Sequence, residues 1–258
     1  MLRAPLKKSG EEFLSVQAPW EKLVFDTLLG TLYHASSFDP ETQTAFANML
    51  FSDEDALLAH ASAANGFHEW LNSFAQVWDL SKTESLVFGP VDPEKGKDIL
   101  SPWNPTFIPD VCPTAIFRGL NNNNGSEASK QGGGRRVCAT IRAPLKGTGE
   151  QVMSVQQPWE QTVEKTLPGT LFHATSVNPK ANVGYVHIVY QDDDAMVAQG
   201  TATQQNLPWL KAVDEVWDLP NIETLCFGPV DQEKAGEVVA FWKGKVITNV
   251  SETAFFRF

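Results

Sequence analysis

Apolar residues recur along this chain with two periods, and the switch between them marks out its elements. Val16, Trp20, Val24 and Thr27 fall at helical spacing, which predicts a helix from about Glu11 to Thr27 with a kink or late start at Pro19. Gly30 stands where a glycine commonly ends a helix. Strands are predicted from Thr31 to Phe38 and from Thr44 to Phe51, joined by the turn Asp39-Pro40. In the second of them alternation puts Ala47, Met49 and Phe51 on one face and Phe46, Asn48 and Leu50 on the other. Asp53 takes the N-cap place before Ala56-Leu57-Leu58, opening a second helix that carries Trp70 and ends before Trp78. A strand from Glu84 to Phe88, a helix begun by Asp92-Pro93-Glu94 and a strand from Thr114 to Arg118 follow. The order is β-α-β-β-α-β with a helix and a strand appended.

The whole pattern returns at a constant offset of 139 residues, from Arg3 to Arg142, Trp20 to Trp159 and Arg118 to Arg257. About 50 of about 117 aligned positions are identical, so the chain is a duplication. Residues 1–120 and 137–258 are the expected modules. Between them, 121–136 read NNNNGSEASKQGGGRR, which cannot pack and is expected to be a flexible tether reaching roughly 20–25 Å. The second copy enters its first strand with Val137-Cys138-Ala139-Thr140, whereas the first begins at once with Leu2, so an upstream segment is expected to have been removed. One sheet with helices on one side leaves its other face bare. The two sheets are therefore expected to pack face to face as an internal pseudo-dimer, neither copy being stable alone.

Charge narrows the partners. The formal net charge of −11 argues against nucleic acid and anionic membrane surfaces, which need a basic footprint. No apolar run is long enough to span a membrane, so the expected location is cytoplasmic, or organellar if a targeting segment has been removed. Three cysteines, Cys112, Cys138 and Cys226, cannot form a fully paired disulfide framework and are too far apart for a metal knuckle. Asp192-Asp193-Asp194 matches Asp53-Glu54-Asp55 at the same helix start and is read as a cap, not a cation site. No metal or other cofactor is expected, and no Gly-rich phosphate loop is present.

Two segments carry a resemblance: Gly30-Thr31-Leu32-Tyr33-His34 before a hairpin, and Phe51-Ser52-Asp53-Glu54-Asp55-Ala56-Leu57-Leu58-Ala59-His60 followed by Phe67 and Trp70. Both resemble the dimeric α/β-barrel domains of the antibiotic-biosynthesis monooxygenase superfamily. The resemblance spans nearly all of each copy through a diffuse pattern, without a catalytic fingerprint. It implies an α+β fold of two tandem ferredoxin-like βαββαβ modules, packed sheet to sheet as an intramolecular dimeric α/β barrel. The activities it implies are cofactor-independent oxygenation of quinols and polycyclic phenols, or haem degradation. The haem-degrading pattern has an Asn on the first strand and a Trp followed by a His on the second helix. Here the strand reads Arg3, Ala4 and Pro5, the helix carries His60 before Trp70, and the second copy has Gln199 before Trp209.

The expected catalytic residues are therefore histidines, since imidazole exchanges protons near neutral pH. His34 and His173 occupy equivalent strand positions; His60 occurs only in the first copy and His187 only in the second. The plain alternative is a hydrogen-bonded histidine in a half-buried strand. His68 is read as a solvated helix residue. Trp20, Trp70, Trp78 and Trp103 recur as Trp159, Trp209, Trp217 and Trp242, and core packing accounts for most of them. Trp70 and Trp209 are retained as ligand contacts, with Asn48, Tyr33, Phe172 and Tyr185. The first reading is an enzyme oxygenating a small aromatic or quinol-like compound. The alternatives are a non-catalytic protein binding a small hydrophobic molecule on the same scaffold and, more weakly, a haem or tetrapyrrole binder. A further homo-oligomer is left open.

Overall fold

The computed structural model describes residues 1–118 and 136–257; the tether 121–136, apart from Arg136, lies outside them. The first copy runs β1 (Leu2–Pro5), α1 (Gly10–Thr27), β2 (Thr31–Asp39), β3 (Thr44–Phe51), α2 (Glu54–Gly66), α3 (His68–Val77), β4 (Glu84–Phe88), α4 (Pro93–Leu100), β5 (Thr106–Ile108), β6 (Asp110–Val111) and β7 (Ile116–Phe117). The second runs β8 (Val137–Pro144), α5 (Gly149–Thr166), β9 (Thr170–Asn178), β10 (Val183–Tyr190), α6 (Asp193–Gln205), α7 (Leu207–Val216), β11 (Glu223–Phe227), α8 (Gln232–Phe241), β12 (Gly244–Ile247) and β13 (Phe255–Phe256). The first sheet has the order β13-β2-β3-β1-β4-β5, the second β12-β11-β8-β10-β9-β6 with β7 also on β9. At the centre of each lies the antiparallel ferredoxin-like arrangement, so the fold is α+β with two such sheets.

Local chemistry explains the elements. Ser9 and Glu12 form a reciprocal capping box at the start of α1, as Thr148 and Gln151 do for α5. Both helices continue through Pro19 and Pro158. The late start considered for Pro19 is absent, and the buried side of α1 includes Phe13, Gln17, Trp20, Glu21 and Val24. The expected single second helix is two. α2 ends at Gly66, and Phe67 leaves helical geometry; in the second copy Asn206 interrupts at the same place and caps α7, which has Pro208 in its first turn. Gly30 and Gly169 have a role other than the expected helix ending: a Cβ there would come within 2.5 Å of the Ala56 or Ala195 methyl, so they let α2 and α6 approach closely.

The closing strands differ most from expectation. Ile116 pairs with His173 and Phe117 with Phe172, on the second copy's sheet. Phe255 pairs with His34 and Phe256 with Tyr33, on the first copy's sheet. Each tail thus serves the copy it does not belong to. The compact units are accordingly 1–107 with 249–257, and 108–118 with 136–248, where contiguous modules had been expected. Arg118 secures one tail by donating to the carbonyls of Val163, Glu164, Leu167 and Thr170 at the end of α5. Arg257 does the same for the carbonyls of Val24, Phe25, Leu28 and Thr31 at the end of α1. In this way an arginine satisfies last-turn acceptors that the helix itself cannot.

Candidate functional site

In each unit a helix glutamate, a strand histidine and a tail threonine meet under the helices. In the first, Glu21 Oε1 accepts the Ser36 backbone N–H at 2.8 Å and lies 3.3 Å from His34 Nδ1; Thr253 donates to Oε2. In the second, Glu160 Oε1 accepts the Thr175 N–H at 3.0 Å, and Thr114 donates to Oε2 at 2.6 Å. His173 Nδ1 stands 3.5 Å from Glu160 Oε1, a contact just too long for a hydrogen bond. Both carboxylates are fully buried. Burial pushes Glu160 up, but His173, Thr114 and Cys112 outweigh it and hold the carboxyl below its ordinary range. Glu21 is held down against burial in the same way by His34, Ser251 and Thr253. Composition and spacing did not single out these glutamates or threonines. The legible signal was Gln17 and Glu21, two polar residues one turn apart beside the apolar stripe and retained in both copies.

The units differ in what fills the space beside this network. In the first, aromatic rings occupy it. Trp20 stacks on Trp70 with centroids 4.7 Å apart, and Trp70 on Phe74 at 4.9 Å; Phe74 meets Trp78 edge-on at 4.7 Å, and Phe13 meets Trp78 likewise. His60 stacks on His34 at 5.4 Å and takes Thr31 Oγ1 as its partner at 3.1 Å. In the second unit Val152 and Val213 replace Phe13 and Phe74, and a cavity of about 70 Å³ lies between sheet and helices. His173, Gln156, Gln199 and all four tryptophans of this copy line it. Gln199, in the place of His60, accepts from Thr170 Oγ1 at 2.7 Å.

The expected site residues therefore fall into separate places. His34, His60 and Trp70 lie among the packed aromatic rings of the first unit; His173 and Trp209 line the cavity of the second. The others sit on strand positions that point to the opposite face of each sheet. Tyr33 meets Phe256 and Phe172 meets Phe117; Tyr185 stacks on His187 at 6.3 Å with Arg142 over its ring. Asn48 is buried on that face of the first sheet with its Nδ2 unpartnered. His187 cannot join His173 at the cavity, because Val186, Ile188 and Tyr190 take the positions of β10 that face it. Asp192 caps α6 through the Ala195 N–H, while Asp193 and Asp194 pair with Lys234. Among the described residues no helix is long and apolar enough to cross a membrane.

Burial in the first unit has a pH consequence. Desolvation, with His34 adding to it, holds His60 well below the ordinary histidine value. An unfolded histidine takes its proton near 6.5, so below that pH the unfolded chain gains protons that the fold refuses. Stability is expected to fall with decreasing pH from about 6.5, by about 1.4 kcal/mol per unit for this group. Urea titrations from pH 7 to 5 measure the slope; His60→Gln, which installs the second copy's residue, should reduce it, leaving the share of His187, which burial pushes down to about 3.

No protein-family model and no curated protein matches the sequence. Among solved structures the chain is similar to a candidate monooxygenase from Lactobacillus acidophilus NCFM, with 14% identity, a TM-score of 0.55, and 86% of this chain and 89% of the other covered. A candidate monooxygenase from Fusobacterium nucleatum subsp. nucleatum is similar at 12% identity, with a TM-score of 0.56 and coverages of 86% and 87%. At such identities the likeness is one of fold, and the chain shares the α+β fold of these two proteins along most of its length.

Proposed function

We propose that the second unit's cavity is the functional site, and that it oxygenates a small phenol or quinol without a cofactor. The observation that carries this reading is a buried Glu160–His173 pair opening onto an apolar, tryptophan-lined cavity. With Nδ1 turned to the carboxylate, His173 has Nε2 to accept the substrate's hydroxyl proton, and Glu160 stabilises the imidazolium that forms. The resulting anion is electron-rich and reacts with O2 at a ring carbon. The hydroperoxide then loses water to leave a carbonyl, so one oxygen atom enters the product and the other leaves as water. The monooxygenase names of the two similar structures support the same class.

Size restricts the substrate. A cavity of roughly 150 Å³ holds benzene, about twice the space found here. The substrate is therefore a single ring whose entry moves lining side chains such as Trp209 or Met196. A tetrapyrrole is far too large for this cavity.

One observation favours binding without turnover: the first unit, with aromatic rings packed beside the network, keeps the same glutamate, histidine and threonine, as a purely structural clasp would. Oxygen uptake with a panel of dihydroxybenzenes, read beside quenching of tryptophan fluorescence, decides between the two. The enzyme reading expects uptake that His173→Ala lowers at least 100-fold, in line with loss of a general base. Saturable quenching with no uptake leaves a binding protein.

A further inference from the structure

The second unit's site is incomplete without a segment from the other copy. We infer that Thr114 is a positioning residue, whose hydroxyl sets the proton affinity of the Glu160–His173 pair. The inference rests on the proposed role of His173 only for its activity readout. Glu160 Oε2 is an acceptor, so the single hydroxyl proton of Thr114 is committed to it at 2.6 Å. The Cys112 thiol lies 3.2 Å from Thr114 Oγ1. The same tail places Ile116 opposite His173 in the sheet. One segment therefore fixes the backbone of the base and the second oxygen of its carboxylate.

The surroundings add little charge that could mask the effect. The tail brings Cys112, whose thiol burial raises to about 11; β11 brings Cys226, raised by burial to about 12. Tyr190 on β10 is pushed well above its ordinary value by burial. All three are neutral near pH 7. α6 offers the uncharged Gln199, and α7 and α8 present Trp209, Val213, Val238 and Val239. The Arg118 guanidinium on the same tail is bound to carbonyls at the end of α5, by contacts that do not involve Thr114. A hydrogen bond to a carboxylate favours its charged form. Without this one the carboxylate charge is less well compensated, and across 3.5 Å it favours the charged imidazolium more strongly, so the pair takes up a proton at higher pH.

The test uses the full chain. NMR titration of the imidazole signals, without ligand, should show the pair's midpoint about one pH unit higher in Thr114→Val, a tenfold change in proton affinity. Thr114→Ser should restore it. Thr253→Val removes the equivalent hydroxyl in the first unit and should leave the His173 signals unmoved. With a substrate that is turned over, Thr114→Val should move the acid limb of the rate profile upward by the same amount. At pH values below the limb kcat should be about tenfold lower with KM unchanged, since Thr114 does not line the cavity, and on the plateau above it the rates should converge. A lowered melting temperature with an unmoved His173 midpoint would overturn the inference and leave Thr114 a clasp. Should the valine variant fail to fold, Thr114→Cys, a weaker donor, is expected to give a smaller upward shift; a wild-type midpoint there also overturns it. A shifted titration in a protein that consumes no oxygen sustains the positioning role and removes the oxygenase.

Discussion

Residues 136–258, produced without the first copy, are expected to form a homodimer that exchanges tails. This piece keeps the second sheet but lacks the segment that pairs with β9, donates to Glu160 and caps α5. Left so, the Glu160 carboxylate loses one of its donors inside the fold. Losing a hydrogen bond to a buried charged group costs about 1.5–3 kcal/mol, a sizeable part of the 5–15 kcal/mol that holds a typical domain together. The piece does carry a tail of its own, Thr253 to Arg257, which differs from Thr114 to Arg118 only by Phe255 in place of Ile116. Two copies can exchange these tails and satisfy both sheets. Sedimentation or light scattering should report a dimer that dissociates only as it unfolds. A stable, well-folded monomer would contradict the exchange. Replacing Arg257 by Ala in this piece should weaken the dimer strongly, because four carbonyls at a helix end lose their donor.

The exchange shows where sequence reading reached its limit. The helices and long strands were legible because their signals are local: the stripe on α1, the alternation on β3, and Asp53 and Asp192 as caps. β7 and β13 are two residues each, too short for any period, and either tail sequence suits either sheet. Which one it joins is decided by non-local pairing. The candidate histidines were legible as types, and His34 and His173 do stand beside a buried acid. Their partners were not, since Glu21 and Glu160 read as ordinary polar helix residues until the strand opposite is in place. Alternation did contain the separation of His187 from His173. Taking Val186, Ile188 and Tyr190 as one face of β10 already puts His187 on the other.

Val213→Phe is expected to abolish ligand binding by the second unit while leaving it folded. The reason lies in the repeat itself. Phe74 holds the matching position in the first unit, where its ring lies 4.9 Å from Trp70 and 4.7 Å from Trp78. In the second unit Val213 lines the cavity between Trp209 and Trp217. A phenyl group placed there occupies existing space, so the overpacking cost of about 1–3 kcal/mol for a full core should be reduced. Thermal unfolding measures that cost, and fluorescence titration with a dihydroxybenzene measures the lost site. The reciprocal change asks more of the molecule. Phe74→Val with Phe13→Val removes two rings from a close-packed cluster, and a cavity left in such a core costs about 2–5 kcal/mol per large-to-small change. The opened space would adjoin His34, which already has Glu21 and the Thr253 hydroxyl behind it. If volume is what separates the units, this variant gains binding, and on the oxygenase reading it gains turnover sensitive to His34→Ala. Gained binding without turnover would trace the difference to Gln199, which lines the second cavity where the first unit has His60. His60→Gln in the opened unit then becomes the deciding variant, because it changes the remaining polar position beside an otherwise equivalent glutamate–histidine pair.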